Sequence, residues 1–378
     1  MSTYIISLTH DPKVLIGLQE QWEALQDRSS ADGIYLSWEW VNAWWECFGH
    51  EHELWLLQAH TPDGKLVGIA PLTLTSFAPV AKRLSMIKWR QLQLAGAGMG
   101  LEHLDLIIEH GFEKSITEAF INHLRKFQSR WDVLHVSGLC EGTGGLSTIK
   151  DCPKIAWEEE IDLVAPYIAL PATWDEYFSG LSKLKRKAER RRMRDLDEQY
   201  PDKWALERIT SPEMLHPTFD RLIELHQATW AVRGLPGAFY DARFAVFFRE
   251  LSLRFLRRGW LRMYRLCLDG KIAAVLCTYE YRGRIYDFVS GVDYTYGDLG
   301  VGHVITQLAI KSAIETGIRE YDFMWGNEPY KYDWNAVDRI HHAVTWYASW
   351  QGQIQKRFID TAKDIKHTLN SYRSIAAL

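Results

Sequence analysis

The sequence predicts an α/β protein of the α+β kind, with two domains in tandem, each a mixed, mostly antiparallel sheet flanked by helices. Three observations carry this. At 378 residues the chain is too long for one compact core and long enough for two. Apolar strand-like runs joined by tight Gly-containing turns alternate with stretches of helical spacing. Finally, "LWLLQAHTPDGKLVGIAPL" (54–72) is echoed by "LRMYRLCLDGKIAAVLCTY" (261–279), each a strand, an Asp-Gly-Lys turn and an apolar strand.

Composition narrows the class. Hydrophobic residues make up 47% and charged residues 24%, as in ordinary globular proteins. The net charge of −4 argues against a polyanion binder, leaving only local basic patches. The 17 Trp and 17 Tyr are read as large cores. Cys47, Cys140, Cys152, Cys267 and Cys277 form no CxxC pair, so free thiols in a reducing compartment are expected. "MSTYIISLTHDPKV" has neither the basic start nor the apolar run of a signal peptide, and no apolar stretch has the length of a membrane span. A cytoplasmic protein is expected.

Along the chain, "YIISL" reads as a strand, "VLIGLQEQWEALQDR" as a helix, and "SWEWVNAWWECFG" as a helix capped by Ser37. The repeat follows as a hairpin around Pro62-Asp63-Gly64. Then come the strand "RLSMIKWRQLQLAG", the strand "HLDLIIE", the helix "EKSITEAFINHLRKF" and the strand "WDVLHVSG". Residues 139–156 have loop chemistry, and the domains are divided as 1–160 and 161–378. The second domain opens on the long helical stretch "TWDEYFSGLSKLKRKAERRRMRDLDEQY". Helices over Pro212–Thr229 and Asp241–Arg258 precede three strands joined at Asp269-Gly270 and Arg282-Gly283. A further strand, "REYDFMWG", lies beyond the next helix.

Between those last strands lies "VDYTYGDLGVGHVITQLAIKSAIETG" (292–317). Gly297, Gly300 and Gly302 are spaced G-x-x-G-x-G directly before a helix. A helix N-terminus offers unpaired N–H groups and a partial positive charge, and glycines let a phosphate approach them. By spacing alone, a tight turn that holds nothing is the slightly stronger reading. A dinucleotide fingerprint fits poorly, because short hairpins make the preceding strands antiparallel. The first half has Gly96, Gly98 and Gly100 before a strand, so only the second half keeps a turn suited to an anion.

Other constellations are weighed the same way. Lys183, Arg186, Lys187, Arg190, Arg191 and Arg194 lie on one helical face, either solvated or phosphate-binding. Glu328, Tyr330 and Lys331 follow the strand "YDFMW", where side chains commonly face a ligand. Glu328 suits a base, Tyr330 an acid for a departing thiolate, and Lys331 a phosphate or carboxylate contact. His50-Glu51-His52 and His341-His342 have no third ligand at suitable spacing, so no metal is expected. No G-x-S-x-G is present.

The antiparallel meander, glycine turn, helix and strand resemble the GNAT acyltransferases, where such a turn holds the pyrophosphate of an acyl-coenzyme A. Their usual Q/R-x-x-G-x-G/A has Gly297 here in the Gln/Arg place. More widely, "LHQATWAVRG", the 261–317 run, "YDFMWGNEPYKYDW" and the basic stretch "LSKLKRKAERRRMRDLDE" together resemble the CelD/FemAB-like N-acetyltransferases over roughly 167–335. The resemblance implies two tandem GNAT-like domains with the ligand between them, the first degenerate and on the acceptor side, the second catalytic. It implies acetyl-CoA or another acyl-CoA as co-substrate and no metal. The donor would be held by Gly297, Gly300, Val301, Gly302 and His303, with a backbone N–H near Val289 or Gly291 on the thioester oxygen. Catalysis would fall to Glu328, Tyr330 and Lys331, with Asp105 as a further acid. His103, Trp230, Arg233, Tyr286 and Asp322 would face an amine acceptor, a small molecule, saccharide or peptide. A FemAB-type transferase using aminoacyl-transfer RNA is the nearest alternative, weakened by the acidic net charge and the lack of a long inserted helical arm. An inactive binding protein on the same fold is the third reading.

Overall fold

The computed structural model describes residues 4–77, 89–97, 99, 101–141 and 144–361. The first half runs β1 (Ile5–Thr9), α1 (Pro12–Gly17), α2 (Gln19–Gln26), α3 (Trp38–Phe48), β2 (Glu53–His60), β3 (Leu66–Phe77), β4 (Trp89–Leu94), β5 (Ile107–Ile108), α4 (Glu113–Arg125), β6 (Val133–Cys140) and α5 (Gly144–Lys150). The second runs β7 (Glu158–Ala169), α6 (Trp174–Gly180), α7 (Lys183–Gln199), β8 (Trp204–Arg208), α8 (Pro212–Val232), α9 (Ala242–Arg257), β9 (Leu261–Leu268), β10 (Lys271–Tyr281) and β11 (Arg284–Val292). It ends with α10 (Val301–Glu315), β12 (Glu320–Asp322), α11 (Pro329–Tyr332) and β13 (Val337–Tyr347).

The chain forms two compact units, Met1–Asp162 with His341–Leu378, and Leu163–Ile340. It passes out of the first unit within β7 and returns within β13. Strands of the first unit are ordered β1-β2-β3-β4-β6-β13, with β5 beside β3. Strands of the second are ordered β8-β9-β10-β11-β12-β7. The two follow one rule: every neighbouring pair is antiparallel except the fourth with the fifth, β4 with β6 and β11 with β12. The echo of 54–72 in 261–279 thus belongs to two sets of strands with the same plan.

Local chemistry explains the elements. Asp269 and Gly270 take φ of 49° and 75°, and Arg282 and Gly283 take 51° and 80°. Two successive positive φ values match the right-handed twist of a tight hairpin, so β9, β10 and β11 fold back on one another. Ser37 caps α3, its hydroxyl accepting from Trp40 N–H at 3.3 Å. The stretch 173–200 is two helices, not one. Leu181 is extended, and Ser182 starts α7 afresh, its hydroxyl accepting from Lys185 N–H at 3.1 Å. The 12–26 stretch is likewise broken at Leu18.

The tryptophans fill cores, with Trp22, Trp40, Trp55 and Trp131 fully buried in the first unit. All five cysteines are free. Burial pushes the thiols of Cys152 and Cys277 up to about 11 and about 12. In the second unit, α10 buries Val301, Val304, Ile305, Ile310 and Ile314, so it is covered on more than one side. No helix among the described residues is long and apolar enough to cross a membrane.

One ion-pair network ties β12 down. Arg339 donates to both carboxylate oxygens of Glu320 (2.9 and 2.7 Å) and to Asp322 (2.8 Å), and its guanidinium lies 3.8 Å from the centre of the Tyr167 ring. Arg284 pairs with Glu320 from β11. Asp322 is fully buried, so removing its cation strands a charge. Arg339→Met should therefore lower the unfolding free energy by about 3–5 kcal/mol in urea titration. A loss under about 1 kcal/mol would mean that other groups satisfy both acids.

Candidate functional site

Three positions set the geometry of the second unit. First, β12 pairs with β11 only at Arg284–Tyr286, while β11 runs on from Asp287 to Val292 without a β12 partner. Second, β11 carries a bulge: Val289 faces Cys277 and Asp287 faces Thr278 on β10, so Phe288 is unopposed. A bulge re-aims neighbouring amides and bends its strand. Third, α10 follows β11 after a 3₁₀ turn, Tyr294–Leu299. Gly300 takes the left-handed conformation (φ 59°) and its carbonyl accepts from His303 and Val304 N–H, at 2.9 and 3.1 Å. The amides of Val301 and Gly302, in the opening turn, have no intrahelical acceptor. No acid lies in that turn.

A buried carboxylate stands beside this helix start. Glu189 of α7 is fully buried. Lys185 pairs with it at 3.0 Å, Arg192 also pairs with it, and His303 lies 3.8 Å away. Arg192 in turn packs on the glycine turn, where a β-carbon on Gly300 would lie 2.8 Å from its Nε. Burial lowers the pKa of Lys185 against the pull of Glu189, and burial together with Arg192 and Lys185 lowers that of His303. The six cations singled out in the sequence lie elsewhere on α7, with Lys183, Lys187, Arg190, Arg191 and Arg194 exposed. The cation at the glycine turn is Arg192, which reading the basic run missed. Its signal was present: Lys185, Glu189 and Arg192 are spaced i, i+4, i+7 on one face, with an acid inside a basic run.

The residues after β12 form a pinned loop. Lys331 is buried, and its ammonium donates to the carbonyls of Met324, Trp325 and Gly326 at 3.0, 2.9 and 2.9 Å and pairs with Glu328 at 2.9 Å. Its protons are thus spent within the chain, a loop-holding arrangement rather than an open anion contact. The loop needs holding, since Met324 (φ 62°) and Gly326 (φ 106°) both have positive φ. Glu328 keeps a half-exposed side chain, lying against Gly326, whose β-carbon would meet its Oε2 at 2.6 Å. Tyr330 stands edge-on to Phe323 and is 44% exposed. Enclosure of the phenol and the carboxylates of Asp287 and Glu328 raise its pKa, so the hydroxyl stays protonated.

Asp287 was not foreseen. It sits where β11 and β12 part and accepts from the Tyr321 hydroxyl at 2.9 Å. Burial pushes its carboxyl up to about 6, against the Tyr321 hydrogen bond and the Lys331 charge. One residue joins the loop to the glycine turn. The Trp334 ring lies 3.6 Å from Lys185 Nζ and 6.3 Å from the His303 ring, and the backbone N–H of Trp334 donates to the Lys331 carbonyl. Trp334 thereby links the segment that ends at Lys331 to Lys185 and to His303 in the first turn of α10.

The other predicted residues are placed differently. Gly291 is a packing position, since a β-carbon there would meet Leu225 Cβ at 2.8 Å and Leu222 O at 3.0 Å on α8. Tyr286 and Asp322 are fully buried; Tyr286 accepts from Arg284, and Asp322 accepts from Met324 N–H and Arg339. Trp230 and Arg233 stack on each other at 5.3 Å at the end of α8. His103 and Asp105 belong to the first unit and are buried there. Gly98 and Gly100 lie outside the described residues. The first unit's counterpart of α10 is α4, which opens on Glu113, an acid that repels anions.

Residues 183–332 match the acetyltransferase (GNAT) domain family. Among solved structures, FemX is similar at 12% identity, covering 89% of this chain and 97% of that one with a TM-score of 0.62. A conserved protein of unknown function from Bacteroides thetaiotaomicron VPI-5482 is similar at 13% identity, covering 91% and 100%, with a TM-score of 0.58. L-PGS from Bacillus licheniformis is similar at 11% identity, covering 89% and 91%, with a TM-score of 0.53. At these identities the likeness is one of fold. No curated protein sequence matches the chain. The second unit is thus similar to the GNAT acetyltransferase domain over residues 183–332, and the fold class is the one the sequence predicts.

Asp105 generates a pH prediction. Burial pushes its carboxyl up to about 7, against hydrogen bonds from Leu106 and Gly145 N–H, with Glu113 adding to the rise. The native state thus keeps a proton that the unfolded chain releases near pH 4, so stability falls as pH rises from about 4 to about 7. Asp105→Asn carries no titrating proton. Its unfolding free energy relative to the parent should therefore climb across that window, by up to about 4 kcal/mol. Parallel curves for the two proteins would refute it.

Proposed function

We propose that the protein is an acyl-CoA-dependent N-acyltransferase that passes an acetyl or longer acyl group directly to an amine. The observation that carries this is the start of α10. A left-handed glycine, an opening turn free of acids and the Arg192 guanidinium meet beyond the end of β11, past the stretch that has no β12 partner. That is a site for a pyrophosphate. Val301 and Gly302 amides and Arg192 would hold the phosphates, and the re-aimed amides around Phe288 would polarise the thioester oxygen. The amine nitrogen attacks the thioester carbonyl, and the carbon–sulfur bond breaks. Glu328, directly or through water, takes the proton that nitrogen releases, and the Tyr330 hydroxyl protonates the departing thiolate. Lys331 is a positioning residue that holds Glu328 and Tyr330 through the 324–326 carbonyls. The acceptor is read as a small amine or the amine of a saccharide or peptide, and the compartment as the cytoplasm.

The exposed basic face of α7 favours a second reading, with aminoacyl-transfer RNA as donor. Two of its cations are already paired, Arg191 with Asp195 and Arg194 with Asp195 and Glu198. Thermal shift decides between donors. Acetyl-CoA at about 100 times its Kd stabilises by about 2.7 kcal/mol, and silence with acetyl-CoA but a shift with charged transfer RNA would select the second reading.

Gly297 offers a gain-of-function test. A β-carbon there meets nothing within 4 Å, whereas Gly300→Val would strain the turn itself. Gly297→Arg should tighten coenzyme A binding roughly tenfold, and Arg192→Met should weaken it by a similar factor, both read by calorimetry. Unchanged affinity in both would make the turn purely structural.

Glu328→Gln keeps size but removes the base. Turnover should fall by about 10²–10⁴-fold with coenzyme A affinity and melting temperature unchanged. Lys331→Met should behave differently, losing about 3 kcal/mol of stability along with activity, because it orphans carbonyls in a strained loop. Normal turnover by Glu328→Gln removes that residue from the chemistry.

A further inference from the structure

Sequence spacing offers His341 no third ligand, but the first unit supplies two. Cys140, the last residue of β6, is the cross-strand partner of His341 on β13. Leu104 N–H donates to Gly138 O at 3.0 Å and Leu104 bridges to Leu139, which sets His103 beside the same strand end. One nitrogen from each histidine and the Cys140 sulfur all lie within 4.8 Å of one another. The two imidazoles meet edge to face at 4.9 Å.

The site is built from fixed parts. His341 is fully buried and His103 is 8% exposed, while Cys140 is half-buried and gives the group its opening. His103 is held at φ 56°, and Gly33 is pressed so closely on it that a β-carbon there would stand 2.4 Å from the His103 carbonyl. The donors are two imidazoles and a thiol, the set preferred by zinc-class ions and not by magnesium or calcium.

We propose that His103, Cys140 and His341 bind one divalent ion of the zinc class, with a fourth coordination position left open. An ion at the centre of a triangle with 4.8 Å edges stands about 2.8 Å from each corner. Closing the sulfur by roughly 0.5 Å and each nitrogen by roughly 0.7–0.8 Å therefore reaches zinc–sulfur and zinc–nitrogen bond lengths of about 2.3 and 2.0–2.1 Å. Binding releases the Cys140 proton to solvent, since thiolate is the ligand form. An open fourth position is the arrangement of sites where a zinc-class ion holds a water or a substrate group.

The test uses the full chain, stripped with a chelator under reducing conditions and titrated with Co²⁺. One equivalent should give a thiolate-to-cobalt charge-transfer band, with Zn²⁺ bleaching it at the same stoichiometry. Cys140→Ser should abolish the band. His103→Asn, whose side chain tolerates positive φ, should weaken Co²⁺ binding by more than about 100-fold, beyond what loss of a merely supporting partner costs. Zn²⁺ should raise the melting temperature of the parent and of neither variant, each variant being checked for the parent's circular dichroism. A band that survives in Cys140→Ser overturns the assignment. So does the absence of stoichiometric binding by the parent at a large excess of Co²⁺. Because Co²⁺ is read by its spectrum and Zn²⁺ by melting, the outcome is independent of whether acyl transfer is observed.

Discussion

Glu189 is the carboxylate on which the second unit's site depends. A fully buried acid is tolerable only with cations against it, and here Lys185 and Arg192 come from its own helix, at the preceding and following turns. Each cation then does a second thing. Arg192 lies on Gly300, at the mouth of α10. Lys185 lies over the Trp334 ring, just past the loop that carries Glu328 and Tyr330. Fixing one charge thus fixes both halves of the site, and the cations that serve it are the inward ones of a helix whose outer face is also basic.

The two units share a strand plan and differ at the helix that joins the parallel pair. In the second, α10 follows β11 after the turn Tyr294–Leu299 and a left-handed glycine, and the opening turn of α10 carries no acid. In the first, the chain detours through β5 between β4 and α4, and α4 opens on Glu113. The field at a helix start is weak and local, so one acid in the first turn is enough to reverse its preference for anions. The two units share the sheet plan and differ in the electrostatics of that single helix end.

Features written in local chemistry were legible in the sequence. The hairpins at Asp269-Gly270 and Arg282-Gly283, the cap at Ser37 and the helix after Gly302 follow from turn residues and periodicity alone. Arg192 and Asp287 were not legible, because their importance comes from what packs on them. Arg192 differs from its basic neighbours only in facing inward, and Asp287 matters because β12 stops pairing at Tyr286. β7 and β13 were also hidden: β7 opens on exposed acids, and β13 opens on exposed residues directly after a loop. Lys331 was legible as a conspicuous lysine, but its duty, satisfying the carbonyls of a strained loop, depends on backbone angles that sequence does not reveal.

The pairing of β6 with β13 bears on how the chain is made. Its partners lie about two hundred residues apart. At ribosomal speeds of about 5–20 residues per second, the outer edge of β6 waits roughly 10–40 s for its neighbour. During that interval a strand rich in Val and Leu presents open hydrogen-bonding groups, the kind of edge that recruits other chains. The whole of the second unit is translated within the same interval, so it has the opportunity to fold while the first is still incomplete. The N-terminal unit, first to leave the ribosome, is the last to be finished, and its yield in a cell depends on what shields β6 until β13 arrives.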